Sequence, residues 1–265
     1  MKKSIWIYLI ILLSGNLIAQ TVTLTDIEGN TYKTVKIGNQ IWMAENLKTT
    51  KFNDGTAIPL VIKQKDWNNL TTAGYCWYKN DSSMYSRIYG ALYNWYAVNT
   101  GKLCPVGWNV PTEAAWISLL EYLGTFKGDE LDLDINYSKG WINVLSRVRR
   151  GYYDDEDIEI LEKINAAIKL KETGTVHWQN MSNENNNTNE SGFTARPGGC
   201  RFKSLGFKFL GKNGYWWSWN ERRDESANMM KIEGKSDKAY SPLGQAYTWW
   251  DSKSSGYSVR CIKYQ

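Results

Sequence analysis

Leu103-Cys104-Pro105-Val106-Gly107-Trp108-Asn109-Val110-Pro111-Thr112-Glu113-Ala114-Ala115-Trp116 and, far downstream, Ser258-Val259-Arg260-Cys261 decide how this chain is read. Pro111 biases the backbone before it away from the helical region, and Thr112 and Glu113 suit a helix N-terminus, where a hydroxyl caps and an acid complements the dipole. Trp116, Leu119, Leu120 and Leu123 then recur on one face, and Gly124 ends the run, so the pattern predicts a helix over 112–123 that packs on a sheet. Each stretch also contains a cysteine.

Outward from that helix the chain reads as many short strands. Thr21 to Thr25 and Thr31 to Ile37, separated by Asp26-Ile27-Glu28-Gly29-Asn30, form an expected hairpin, and Gly38-Asn39 turns into Gln40-Ile41-Trp42-Met43. Further strands are expected at Gly192–Ala195, Gly214–Trp219, Met229–Ile232, Ala246–Trp250 and Tyr257–Ile262. A second helix is expected over 155–171, with an acidic first turn and Ile160, Leu161, Ile164, Ala167 and Ile168 on one face. Strands in this number beside two helices make an α+β class. No internal repeat is visible.

Lys2 and Lys3, the apolar run Ile5 to Leu13 and the small Ala19 read as a cleaved secretory signal over residues 1–19, leaving 20–265 as a single domain. The apolar run is shorter than the about 20 residues a membrane span needs, so no stable membrane insertion of the mature chain is expected. Localisation is expected to be secreted, at the cell surface or periplasmic. The net charge of +5 falls to +3 without Lys2 and Lys3, and the charges alternate in sign along the chain, which argues against a nucleic-acid partner. Trp at 14 and Tyr at 17, against 6 Phe, point to half-exposed surfaces and carbohydrate or protein contact faces, because these rings combine apolar area with a polar tip.

All four cysteines, Cys76, Cys104, Cys200 and Cys261, lie in the mature chain, and in an exported protein an even number suggests bridges. Cys104 with Cys261 is the favoured pair, tying the middle of the domain to its last strand. Cys76 and Cys200 either pair with each other or stay as buried thiols. No Cys-x-x-Cys spacing and a single histidine argue against a transition-metal site.

Gly29 to Leu47 resembles the opening of the Fibrobacter succinogenes major paralogous domain family. Further matching stretches follow in the family's order: Tyr75-Cys76-Trp77-Tyr78, Tyr89 to Trp95, Cys104 to Trp116, Lys171 to Gly174, Asn189 to Phe193, Pro197-Gly198-Gly199, Gly214 to Ser218 and Ser258 to Cys261. The resemblance implies an exported bacterial protein of C-type-lectin-like architecture, with twisted antiparallel short strands, and no established activity to carry over. This chain departs from the family pattern in an insertion at about 127–165, which holds most of the second helix. Ala115 stands where relatives place Glu, which leaves only half of a capping box. Cys200 stands where relatives more often have an aromatic residue.

Four chemistries are weighed on this basis. Val110 to Trp116 also resembles formylglycine-generating and related oxygenase folds, but those enzymes use paired cysteines near the C-terminus, where only Cys261 lies; a structural helix start is expected. His177, the sole histidine, is read as a packing or hydrogen-bonding residue beside Trp178, with no Gly-x-Ser-x-Gly nucleophile motif in the chain. Glu184, Asn185, Asn187, Asn189 and Glu190 offer oxygen donors for calcium in a polar loop, although a solvated Asn/Ser loop has the same composition. No cofactor beyond calcium is suggested by these residues. Finally, alternation along Tyr215-Trp216-Trp217-Ser218-Trp219 sends Trp217 and Trp219 to one face and Trp216 to the other, so at least one face is core. Trp219, Asn220, Glu221 and Arg222 are the candidate ligand contacts. The expected function is a non-catalytic binding or interaction module for an extracellular glycan or protein. The alternatives are an enzyme of unknown reaction on the same fold and a structural cell-surface component.

Overall fold

The computed structural model describes residues 23–124, 166–179, 187–234 and 246–264. They form an α+β assembly in which every strand pairing is antiparallel. Residues 1–22, which include the expected signal segment 1–19, residues 125–165 and the loop positions Glu184 and Asn185 lie outside the described residues.

β1 (Thr23–Thr25), β2 (Thr31–Ile37), β3 (Gln40–Met43) and β11 (Ile262–Tyr264) make a four-stranded sheet in the order β1-β2-β3-β11. The end of the chain thus closes onto its first hairpins. Asp26 holds the β1–β2 turn: its Oδ1 accepts from the backbone N–H groups of Glu28 and Asn30, both at 2.9 Å, while Gly29 takes a positive φ of 82°. These short-range features are the ones expected from the turn residues.

Two small pairs follow, β4 (Tyr75–Cys76) with β5 (Leu92–Tyr93), and β6 (Gly198–Phe202) with β7 (Gly206–Leu210). A three-stranded sheet, ordered β10-β9-β8, is built from β8 (Asn213–Arg223), β9 (Ser226–Glu233) and β10 (Ala246–Ser252). Helices α1 (Gln64–Asn68), α2 (Ser82–Tyr89) and α3 (Trp95–Val98) are short. The main helix, α4 (Glu113–Gly124), buries Ala115, Trp116, Leu119 and Leu123 and packs across β8, β9 and β10. α5 (Ala166–Leu170) packs against α4 and is the described part of the expected second helix.

The segment before β11 differs from expectation. Tyr257 and Ser258 make isolated bridges, to Tyr93 and Trp216 respectively, and 259–261 join no strand, so one short segment stitches β5 to β8. Gly192–Ala195 is not a strand either; Ala195 alone bridges to Lys171.

β8 runs through the middle of the apolar interior. On one side Trp217, Tyr215, Tyr93, Tyr257 and Met229 gather around Cys104 and Cys261; on the other Trp216 joins Trp42, Trp116, Phe193, Met230 and Ile262. Trp42 and Trp116 have centroids 4.6 Å apart, and Tyr215 stacks on Tyr257 at 5.2 Å. Both faces of this part of β8 are therefore core. Much of the tryptophan surplus is also interior, a correction to the expectation of contact faces: Trp42, Trp67, Trp95, Trp116, Trp178, Trp216 and Trp217 are among the largest fully buried side chains. Most keep the indole N–H satisfied, as when Trp217 donates to Tyr93 O at 2.7 Å and Trp216 to Asn46 Oδ1 at 2.8 Å.

Candidate functional site

The 103–116 and 258–261 stretches meet in space. Cys104 and Cys261 form a disulfide with Cα atoms 5.9 Å apart, and Asn109 exchanges backbone hydrogen bonds with Ile262 at 2.9 and 2.8 Å immediately beyond it. Both sulfurs belong to buried residues, so this is a structural clasp. Arg260, one residue before the bridge, was not singled out from sequence. It is buried against the faces of Phe193 and Trp216 and donates to Asn46 Oδ1 at 2.9 Å, to Thr194 O at 2.8 Å and to Phe193 O. Burial pulls its guanidinium down to about 9, which still leaves it charged at neutral pH.

Cys76 and Cys200 do not pair. Cys76 sits in a cluster with Trp67, Tyr78 and Leu92 and beside the Arg201 guanidinium, whereas Cys200 belongs to the interior around Tyr215 and Tyr257, so the two buried thiols lie in separate surroundings. Burial pushes the Cys76 thiol up to about 12 and raises Cys200 as well, which suppresses the thiolate needed for attack.

His177 lies in a small cluster with Glu172, Arg196 and Tyr89. Its Nδ1 lies 2.5 Å from Glu172 Oε2, the same carboxylate accepts from Arg196 Nε at 2.8 Å, and the ring meets Tyr89 edge-on at 5.7 Å. In the described part of the polar loop, Asn189 accepts from Thr194 N at 2.7 Å and donates to Thr194 Oγ1 at 3.0 Å, while Glu190 N donates to Thr188 Oγ1 at 3.3 Å. Asn187 is buried. Among the described residues no three His, Cys, Asp or Glu side chains converge on a common metal position.

The four expected contact residues on β8 divide in two. Asn220 accepts from Glu113 N at 2.6 Å, while Thr112 Oγ1 accepts from Ala115 N at 3.1 Å. A side chain from the sheet thus supplements the incomplete cap at the start of α4, satisfying a helix-end N–H that has no partner within the helix. Glu221 forms an ion pair with Lys253, whose ammonium also lies 4.8 Å from the Trp95 ring centroid and donates to Asp224 O at 2.7 Å. Asn220 and Glu221 are therefore engaged within the fold.

Trp219 and Arg222 face outward. The Trp219 ring is 37% exposed and lies over Gly101, where an added Cβ would come within 3.3 Å of it. Arg222 places its guanidinium 5.4 Å from the centroid of Trp250, which is 42% exposed, and Trp249 lies nearly parallel to Trp250 at 6.2 Å. Trp250 was missed from sequence. The Trp249-Trp250 pair in an expected strand was the available signal, since alternation gives adjacent residues different faces.

No curated protein and no solved structure matches the chain. A family model described as the Fibrobacter succinogenes major domain matches residues 35–263, a span from β2 to β11 that includes both partners of the disulfide clasp and the whole of the β8–β10 sheet. With that match covering most of its 265 residues, the chain belongs to the Fibrobacter succinogenes major domain family.

Proposed function

We propose that this chain is an exported, non-catalytic binding module that takes an extracellular glycan on the outward end of β8 and on β10. The carrying observation is that Trp219 and Trp250 stay 37% and 42% exposed while, among the described residues, seven other tryptophans are fully buried. Flat indole faces stack on the C–H faces of sugar rings, and Arg222, held beside Trp250, supplies hydrogen-bond donors at the edge. Export is supported by the Lys2-Lys3 and Ile5–Leu13 pattern together with the Cys104–Cys261 bridge, which suits an oxidising compartment. A C-type-lectin-like architecture is supported by the family resemblance and by a terminal strand that returns to the first hairpins.

The non-catalytic reading is supported by the engagement of the reactive groups: His177 with Glu172, Cys104 with Cys261, and two enclosed thiols. A glycan array probed with the mature protein, in calcium and in chelator, tests the proposal. Capture of a glycan that Trp219→Ala and Trp250→Ala each weaken about tenfold or more, with the melting temperature retained, is the expected result. Absence of any captured glycan, or capture indifferent to both substitutions, would sink it. Loss in chelator alone would move the contact to the polar loop.

A further inference from the structure

We infer that the contact at Trp219 takes an uncharged sugar, whose neighbouring hydroxyls bond to the two ion pairs that flank the ring, Asp54–Lys102 and Glu221–Lys253. This rests on the glycan reading above and narrows it to a substrate class.

Trp219 is held as a platform. Its Cη2 and Cζ3 edge sits against Gly101, where an added Cβ would come within 3.3 and 3.9 Å of those atoms and where a φ of 71° favours glycine. The loop under the ring is tied down: Gly101 N donates to Val98 O at 3.3 Å and Lys102 N to Thr100 Oγ1 at 3.1 Å. The backbone N–H of Trp219 donates to Pro111 O at 2.8 Å, while its indole N–H bonds no group among the described residues.

Two ion pairs stand beside this platform. Lys102 follows Gly101 in the chain, and its Nζ lies 2.9 Å from Asp54 Oδ2, with the two side chains 57% and 38% exposed. Asp54 Oδ1 accepts from Thr56 N at 2.9 Å and Asn53 N donates to Lys102 O at 2.8 Å, so the two loops are joined. Glu221 lies two positions beyond Trp219. Its partner Lys253 sits over Trp95, the first residue of α3, the helix that leads to Gly101. Asn220, between Trp219 and Glu221, turns to α4 instead. Trp219 and Glu221 therefore share the α3 side of β8.

Charge selects the sugar. Each of the two carboxylates is already neutralised by a lysine, so a cationic sugar finds no net negative charge. A uronate or sulfate would be brought against Asp54 and Glu221, while the Lys102 ammonium is engaged by Asp54 and that of Lys253 is buried. A neutral ring meets neither cost. Its C–H face stacks on the indole; paired carboxylates keep lone pairs that accept from adjacent hydroxyls, and the Lys102 ammonium keeps donors to spare.

The test is a panel of neutral oligosaccharides beside the same chains carrying uronate, sulfate or amine groups, probed with the mature protein at low salt and at about 0.5 M salt. Neutral chains should be captured at least about tenfold more tightly than their charged counterparts, with little loss at high salt. Trp219→Ala should remove that capture while the melting temperature is retained. Asp54→Asn keeps the side-chain shape and leaves Lys102 unpaired, and should narrow the preference over acidic chains at least about threefold. Preference for an acidic or amine-bearing chain overturns the assignment, as does neutral capture indifferent to Trp219→Ala or a preference indifferent to Asp54→Asn. Acidic capture that Arg222→Gln removes would leave the glycan reading standing and overturn this one alone. A panel with no captured chain overturns both.

Discussion

Trp216 and Trp219 stand three positions apart on β8, and so near each other in sequence they have opposite surroundings. Trp216 is covered by Phe193 on one side and Arg260 on another, and its N–H is held by Asn46; Trp219 rests on a bare glycine and meets solvent. The arginines repeat the contrast, Arg260 enclosed by carbonyls and Arg222 laid on an exposed ring. The difference lies in what covers the strand. Helix α4 packs on β8, and the 256–259 segment bridges its outer edge at Trp216; between Trp217 and Glu221 the register of β8 against β9 shifts, and Trp219 lies in that shifted part. Residue type did not decide which tryptophans became structure.

The contrast breaks first, and most severely, at the clasp. Replacing Cys104 and Cys261 by alanine opens a closure of 157 residues and is expected to lower stability by about 5 kcal/mol on the chain-entropy model, read as a fall in the urea midpoint. Thiol titration of the unfolded, unreduced protein should find the two thiols of Cys76 and Cys200, and four would contradict the bridge. Trp216→Ala, next in size, should cost about 3–5 kcal/mol by leaving a cavity beside the Phe193 ring and freeing Asn46 from its indole donor. A loss below about 1 kcal/mol would mean that the inner half of β8 is no more structural than the outer half.

A pH titration sharpens the comparison by testing how dry the interior is. Lys171 is buried with its ammonium 5.0 Å from the Trp178 ring centroid, and burial lowers it from 10.5 to about 7, partly offset by the negative charge of Glu233. Between those values the unfolded chain binds a proton that the folded chain does not, so stability rises with pH across that window and sits at its lower level below about 7. Lys171→Met should flatten this dependence; an unchanged slope would place the rise on another group. Smaller still, Asn220→Ala removes the acceptor for Glu113 N and should cost about 1 kcal/mol, measured by thermal unfolding. Trp219→Ala is expected to fall within about 0.5 kcal/mol of the unmodified protein, which would separate it from its neighbour Asn220 as a contact residue.

Much of the frame was legible because its causes are local. Asp26 and Gly29 make the first turn, Gly38-Asn39 the second, and the spacing of Trp116, Leu119 and Leu123 makes α4. The candidate site was legible only in part. Trp219 and Arg222 face outward as expected, but Asn220 serves a helix that begins more than 100 positions earlier, and Glu221 answers Lys253 across a chain reversal. Such assignments depend on partners remote in sequence, and no pattern within β8 distinguishes a capping asparagine from a ligand contact. Trp250 and Arg260 were missed for the same reason: an exposed ring and a buried guanidinium are defined by what surrounds them.

By itself, then, the sequence determined the local frame: turns, the main helix, short antiparallel strands and a pair of cysteines suited to closure. Periodicity, backbone stereochemistry and turn chemistry act over a few residues and can be read directly. Only the tertiary structure decided that Cys76 and Cys200 remain thiols, that both faces of inner β8 are core, and that Trp219, Arg222 and Trp250 are left outward. Those outcomes follow from which layers meet across long stretches of chain, because burial belongs to the packed neighbours of a side chain and not to the side chain alone.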